Sequence, residues 1–545
     1  MKIIKKYYQS ILLTTMFLFS MNACINDLNV ESIDPNMQSE VDLDALFVKI
    51  YATLGLTGQQ GPDGNGDIAD LDEGTSSFYR MIYTLNEFCA DMIYWIWSDP
   101  GGDDLRSAKW TASNTLIKGM YARLFFDISL CNLYLLETAE IKDNATIAKR
   151  AEVRFIRALN YYYLLDMFGN VPFTLTVSKK SPEQIKRTAL YEWLEKELKE
   201  LEPELADAGS RISYYRVDVA AAWLLLSRLY LNAEVYTGKA DWDNAAIYAK
   251  KVIDSPYQLA TKYSYLFMGD NNILSSVNDA HREIILPIAQ DGLHTRSWGG
   301  SIFLIAATHT EGMAPWGITE SWKCIRSRYE LVELFFPGAQ KYDDIENAFI
   351  KGEEADIIAA AKDDRAMFCN YRQYGEDNEL ISLLGRRHPS DEFLSGWLIT
   401  KFTNHFADPN RRPTDSMWPD MDIPFMRKAE AYLNYAEAVL RGATAAGMSA
   451  DEAVNRLRTR ANADELSGVT LDQILDERGR EFYSEGVRRM DLIRFNKFGG
   501  NTGYFWEWKG GAILGQHFET FRNLYPIPQS DIIANTNDIE QNEGY

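Results

Sequence analysis

Apolar and small residues recur at helical spacing along much of the chain. In AKRAEVRFIRALNYYYLLDMFGNVPF, Ala151, Phe155, Ala158, Leu159 and Tyr162 fall at i, i+3, i+4 and i+7 intervals, and Gly169 stands just before Pro172. That spacing predicts a helix ending at the glycine. SPEQIKRTALYEWLEKELKELEPELA reads as another helical run, amphipathic from Tyr191 onward. RVDVAAAWLLLSRLYLNAEVY, a polar turn and DWDNAAIYAKKVIDS predict a helix pair, with Ala221, Ala233, Ala246 and Ala249 where helices must approach closely. FMRKAEAYLNYAEAVLRG followed by SADEAVNRLRTRAN repeats that layout. The expected fold class is mainly α, with about four Ala-rich helical pairs of tetratricopeptide-like kind that lack a clean consensus spacing.

Between residues 255 and 425 the helical signal fades. Gly, Asn and Asp cluster there, short runs such as REIILPI and SIFLIAA look strand-like, and most of the remaining Trp residues fall in this stretch. The expectation is an irregular, loop-rich lobe with short strands resting on the helical one; loops of such length are usually functional. A second loop-rich stretch contains YWIWSDPGG, residues 94–102. Its alternation predicts a short strand with Trp95 and Trp97 on one side, running into a polar, glycine-rich turn. Core filling is the simpler account of any single indole. Indoles at the lip of such a loop also suit a ligand platform.

Composition narrows the ligand. At 545 residues the chain exceeds one ordinary core, so two lobes or an extended repeat architecture is expected. The 13 Trp and 30 Tyr residues are a high aromatic load, and a formal charge of −22 disfavours nucleic acid, anionic membrane surfaces and acidic polysaccharides. Neutral ligands such as sugars remain open.

The start, MKIIKKYYQSILLTTMFLFSMNAC, has a lysine-rich head and an apolar run from Ile11 to Phe19. Residues 1–23 therefore read as an export signal, too short to span a bilayer. The ending MNAC is similar to a lipobox, which makes Cys24 a lipidated N-terminus, with residues 24–42 as a polar, acidic tether and 43–545 as the folded domain. Ordinary secretory cleavage nearby is the alternative. Cys89, Cys131, Cys324 and Cys369 are scattered without a CxxC pair, so buried thiols are expected rather than a zinc site or a disulfide framework.

Catalytic signatures are sparse. The six His residues show no HExxH spacing, and the chain has no GxSxG elbow and no P-loop. A glycosidase needs two opposed carboxylates, and no pair among the 78 Asp and Glu residues stands out. DERGREFYSEGVRRMDLIRF alternates Arg478, Arg488, Arg489 and Arg494 with Glu477, Glu481, Glu485 and Asp491. Local i,i+3 and i,i+4 ion pairs, forming an internal lattice, are expected there.

Several stretches carry a resemblance that runs nearly end to end: VKIYATLGLTGQQG, DEGTSSFYR, RAEVRFIRALNYYYLLDMFG, LYLNAEVYTG, REIILPIAQDG, DIPFMRKAEAYLNYAEA, REFYSEGVRRMDLIRF, YPIPQSDI and the closing QNEGY. Together they resemble the RagB/SusD nutrient-uptake family. The resemblance implies a helical scaffold of four tetratricopeptide-like units under an irregular ligand-binding lobe, and no catalysis. It implies a lipoprotein on the outer-membrane surface that captures glycan and passes it to a SusC-like TonB-dependent transporter. Starch-binding members hold helical glucan on an arc of three aromatics. Position by position, the arc falls on Trp97 in YWIW, on Trp298 in TRSWGGS where such members carry Tyr, and on Trp322 in ITESWKC. Polar partners for glucose hydroxyls fall on Asp72 and Arg80, and an assisting Asn meets Asp99 or Pro100. The ligands implied are starch, amylose-like helical glucans and malto-oligosaccharides, with another neutral glycan or a secreted glycoside hydrolase as alternatives. No cofactor is required. A structural calcium of the family would draw oxygens from Asp270 in MGDNN and Asp420 in WPDMDIP; a solvated acidic loop is the competing account of both.

Overall fold

The computed structural model describes residues 41–210, 213–310, 313, 315–337, 353–369 and 397–545. The chain divides into residues 1–46, of which 41–46 are described, and a compact body, Phe47–Tyr545. The signal segment, Cys24 and residues 25–40 lie outside the described residues.

Within the body, helix packs on helix in a continuous series. Thr115–Glu137 packs on Asn144–Met167, which packs on Arg187–Leu201; the series continues through Val219–Leu231, Trp242–Asp254, Lys428–Leu440 and Ala450–Arg460. Small side chains permit the close approach. Ala220, Ala221, Ala222, Ala245, Ala246, Ala249, Ala429, Ala431, Ala436 and Ala438 are all buried along these contacts. Helix starts are capped as their sequences dictate. Asp143, Asp218 and Asp241 accept backbone N–H bonds from Thr146, Ala220 and Asn244, and Ser449 and Thr470 open capping boxes with Glu452 and Gln473. The mainly helical class is thus what the structure shows, and grouping the series into about four pairs is one way of dividing it.

Trp242–Asp254 and Lys428–Leu440 are spatial neighbours, although residues 255–427 separate them in sequence. The ends of that insertion are zipped together. Ile284–Ile288 pairs antiparallel with Ile423–Arg427 in the register Ile284↔Arg427, Leu286↔Met426 and Ile288↔Ile423. A second antiparallel pair, Ile93–Trp95 with Ile325–Ser327, ties the insertion to the segment after the Phe78–Glu87 helix. Among the described residues no helix is long and apolar enough to cross a membrane. Cys89, Cys131, Cys324 and Cys369 are all buried.

Three local expectations are corrected. SPEQIKRT does not start a helix: Gln184–Ile185 forms a two-residue ladder with Val171–Pro172, and the helix begins at Arg187. Pro182 and the edge pairing hold residues 181–186 extended. SIFLIAA is helical over Ser301–Ala306, with every residue of the helix buried. A short, uniformly apolar run carries no periodicity, so only its surroundings decide between strand and helix.

The third correction concerns the arginine-rich end. Its ion pairs are mostly long-range. Arg480–Glu477 and Arg494–Asp491 are local, but Glu477 also takes Arg365 at 2.7 Å and Arg458 at 2.8 Å. Arg365, Arg427 and Arg460 converge on Glu481, and Arg427 also pairs with Glu283 at 3.1 Å and Glu485 at 2.8 Å. Arg478 reaches Asp491 at 2.8 Å, Arg488 reaches Asp91 at 2.7 Å and Arg494 reaches Glu437 at 2.7 Å. Arg488–Arg494 is buried throughout and Leu471–Phe482 on the face that carries Glu477, Arg478 and Glu481, and a buried charge must find partners wherever they lie. Although burial opposes ionisation, the three guanidiniums hold the Glu481 carboxyl far below the usual carboxylate range.

Replacing Glu481 by Gln should therefore destabilise the protein by about 3–5 kcal/mol near neutral pH, since it strands buried cations. Urea midpoints at a series of pH values check this. The stabilisation from a depressed carboxylate is complete above its unfolded pKa and fades as pH falls toward the folded one, so the gap between parent and variant should narrow as pH falls below about 4.

Candidate ligand-binding site

The Ile93–Trp95/Ile325–Ser327 ladder decides where two indoles meet. Trp95 lies opposite Ile325, and the ladder extends through the Ile96 N–H donating to the Cys324 carbonyl at 2.9 Å. One step further, the register sets Trp97 beside the Lys323–Trp322 end of the other strand, and the two rings lie 6.1 Å apart, tilted by 34°. The Trp322 backbone N–H is held by the Ala306 carbonyl at 2.7 Å, at the end of the Ser301–Ala306 helix, and its indole N–H donates to Glu320 at 3.1 Å. Trp298 precedes that helix. Its ring lies 5.9 Å from Trp322 at 50°, so the three indoles form a turning row with Trp322 in the middle.

Each outer ring is backed by a buried one. Trp95, stacked on Phe88, meets Trp97 edge-on at 5.5 Å, and Trp418 lies 4.7 Å from Trp298. Trp418 belongs to a small core with Ile302 and Ala306, against which Trp298 and Trp322 pack. Its loop is secured by Asp415, which accepts the Met417 and Trp418 N–H groups and pairs with Arg296 at 3.0 Å. The three row indoles are themselves half-buried. They line a cleft of about 380 Å³ whose wall also carries Asp70, Asp72, Thr75, Arg80, Asp99, Pro100 and Thr115.

Arg80 is the unusual group in that wall. It lies in the first turn of the Phe78–Glu87 helix, 8% exposed, with its guanidinium 4.5 Å over the Phe303 ring. Among the described residues no carboxylate lies within 4 Å of it, and its one side-chain hydrogen bond is a long 3.5 Å donation to the Trp298 carbonyl. A guanidinium has five donors, so most of them face the cleft unused. Burial pulls its pKa down, opposed by the Asp72 and Asp99 carboxylates. The Asp99 carboxyl, half-buried, is shifted up by desolvation, with Arg80 pulling the other way. Asp72 is exposed and takes the Thr75 N–H and hydroxyl at 3.2 and 2.9 Å, which shapes the turn before the helix.

All six residues singled out from the sequence, Trp97, Trp298, Trp322, Asp72, Arg80 and Asp99, therefore line one cleft. Trp418 and Glu73 support it without having been singled out; Glu73 accepts the Trp298 N–H at 3.0 Å. No local pattern marks either, because each works through a contact more than a hundred positions away. The calcium expectation is not met by a ligand set. Asp270 accepts from the Asn278 amide and the Asp408 N–H, and Asp420 accepts from the Gly292 and Thr414 N–H groups and the Thr414 hydroxyl. Those carboxylates are loop ties, and no group of three metal-ligating side chains occurs among the described residues.

Comparison with known proteins places this geometry. A family model described as "SusD family" matches residues 315–545, and one described as "Starch-binding associating with outer membrane" matches residues 31–231. The starch-binding protein SusD of Bacteroides thetaiotaomicron is 40% identical over 571 residues, covering 100% of this chain and 99% of that one. The chain belongs to the SusD family. Solved structures agree on the fold. A SusD superfamily protein from Parabacteroides distasonis superposes with a TM-score of 0.66 at 21% identity, over 92% of this chain and 98% of that one. Surface glycan-binding protein A from Bacteroides thetaiotaomicron, solved with laminarihexaose, gives 0.64 at 19% identity over the same shares. The irregular insertion of this SusD-family chain thus rests on a scaffold shared by distant relatives.

The state of Arg80 makes a prediction about stability. Arg80→Met keeps an apolar stem on Phe303 and removes a desolvated, poorly paired cation. Its unfolding free energy from urea titration should equal that of the parent or exceed it by up to about 1 kcal/mol. A clear loss would mean that the guanidinium serves folding.

Proposed function

We propose that the cleft binds the coiled glucose chains of starch and malto-oligosaccharides and does not cut them. The observation that carries this reading is the row of three half-buried indoles, 5.9 and 6.1 Å apart, facing a desolvated arginine with unused donors. A pyranose ring offers a weakly hydrated face of C–H groups that lies on the electron-rich face of an indole. One such platform binds weakly. Three on a curve favour a ligand already bent to match, because it loses little conformational freedom on docking. Amylose is bent and cellulose is straight. Arg80 then donates to hydroxyls while Asp72 and Asp99 accept from them, and hydrogen bonds to charged groups contribute roughly 1.5–3 kcal/mol each.

On this reading Trp97, Trp298 and Trp322 are the platforms. Trp at position 298 replaces the phenol of starch-binding relatives with a larger ring that lacks a hydroxyl. Residues 1–23 are the export signal, Cys24 is the lipidated residue, 24–42 is the tether and 43–545 is the binding domain at the outer-membrane surface. Captured glucan passes to a SusC-like TonB-dependent transporter. The name of the 40%-identical relative supports starch as the ligand. A laminarin-type glucan is the second reading, supported by the laminarihexaose complex of a structural neighbour.

Calorimetric titration of the signal-less protein with cyclic and linear malto-oligosaccharides, laminarihexaose and a straight β-1,4-glucan separates these. Malto-oligosaccharides should bind, the cyclic ones at least as well as the linear, and the straight glucan should not. Changing all three tryptophans to Ala should lower affinity more than tenfold, since each stacked ring contributes roughly 0.5–1.5 kcal/mol beyond the area it buries. Thermal stability should change little. Reducing sugar released from starch, or tighter binding of laminarihexaose, would overturn the reading.

A further inference from the structure

Trp298 and its neighbour Gly299 are joined through their backbone to the turn before the Phe78–Glu87 helix. Glu73, 7% exposed, accepts the Trp298 N–H on one carboxylate oxygen at 3.0 Å and the Thr57 hydroxyl on the other. Ser77, the helix N-cap, donates its hydroxyl to the Gly299 carbonyl at 2.9 Å, and Arg80 reaches the Trp298 carbonyl. The two backbones leave no room between them. A Cβ on Gly74 would stand 2.6 Å from the Trp298 Cβ, and one on Gly299 would stand 2.3 Å from the Ser77 Cβ. The turn bearing Asp72 and Arg80 and the loop bearing Trp298 therefore behave as one dovetailed piece. Trp97 hangs on a different support, the Ile93–Trp95/Ile325–Ser327 ladder, and Trp322 bridges the two, with its N–H held at the end of the Ser301–Ala306 helix and its ring packed on the same small core as Trp298. The curvature of the row depends on how these two pieces are keyed.

We propose that Glu73 is a positioning residue that keys the Trp298 platform to the Arg80–Asp72 edge and so sets the curvature the cleft selects. Glu73 is not among the residues that line the cleft. A carboxylate suits the task because it accepts from two segments at once, and charged acceptors make the shorter, stronger hydrogen bonds. Without it the Trp298 N–H and the Thr57 hydroxyl lose a buried acceptor, and the loop has reason to shift. A loosened third ring would weaken long, curved ligands more than short ones that need fewer platforms. This inference rests on the helical-glucan reading of the cleft, and its test has an arm that does not.

The test compares Glu73→Ala, Glu73→Gln and Glu73→Asp with the parent. Without any glycan, backbone hydrogen exchange in peptides covering residues 296–301 should rise in Glu73→Ala and stay near parental in Glu73→Gln, whose amide can accept from Trp298 and donate to Thr57. Titration should show Glu73→Ala losing affinity for cyclomaltoheptaose by about tenfold, with a smaller loss for maltotriose and rescue by Gln. Glu73→Asp keeps the charge but shortens the reach, and should fall between them in both readouts. If Glu73→Ala fails to fold by circular dichroism, Glu73→Asp carries the test. Parental exchange at 296–301, or an equal loss for both ligands, overturns the proposal. If the parent binds no malto-oligosaccharide, the glucan reading falls, and the exchange measurement alone decides whether Glu73 positions Trp298.

Discussion

Glu481 cannot be buried as an anion without cations around it, and the partners it collects hold the molecule together. Arg427 ends the strand that closes the 255–427 insertion, Glu283 stands just before the strand that opens it, and Arg365 comes from its interior. Arg460 comes from the helical series. One buried knot thus fastens the insertion at both ends and in the middle. It continues through Glu485, which takes Arg427 and Lys401, into the turn before Arg488–Arg494. There the Gly486 and Val487 N–H groups donate to Glu87, and Arg488 grips Asp91. Glu87 ends the helix whose first turn presents Arg80, and Asp91 precedes the strand that leads to Trp97. Both walls of the cleft are anchored, a few bonds removed, to the same charges.

How much of this the sequence discloses depends on range. Alanines at helical spacing in RVDVAAAWLLLSRLY and KAEAYLNYAEAVL announce helices that pack closely, because that message is local. The end of DERGREFYSEGVRRMDLIRF announces a charge lattice, but Arg365, Arg427, Arg458 and Arg460, which complete it, lie outside that stretch. SIFLIAA misleads because burial on all sides erases its period. The convergence of Trp97, Trp298 and Trp322 follows from no periodicity at all. It is legible through family resemblance, and physically it results from the Trp95↔Ile325 register and the dovetail at Gly74 and Gly299. Glu73 and Trp418 had no signal, since a residue that supports a distant loop looks like any other polar or aromatic position.

The rigidity of the support explains how a shallow cleft could discriminate by shape. If the three rings could adjust to any ligand, each would stack on sugars of every linkage, and stacking energy alone would not separate bent chains from straight ones. Backed by Trp95 and Trp418 and fixed at the backbone of Trp298 and Trp322, the rings hold their angles before the ligand arrives. On the proposed reading, a straight chain would then either bend or leave rings uncovered, losing free energy in both cases.

The same residue type also shows where the protein departs from what folding alone would choose. Arg427 and Arg80 are both buried. Arg427 is saturated, with Glu283, Glu481 and Glu485 and the Glu481 carbonyl around its guanidinium, and its pKa is pushed well up despite burial. Arg80 has one long hydrogen bond and a pKa pulled down. A buried cation short of partners is a cost that folding does not repay. Arg326 is also short of acceptors, but it does not line the cleft, whereas Arg80 lines it together with the three indoles. Selection for stability would have replaced Arg80 with an apolar residue over Phe303. On the proposed reading, its presence in that place is accounted for when the missing acceptors arrive with a ligand that is rich in hydroxyls and flat enough to lie on tryptophan.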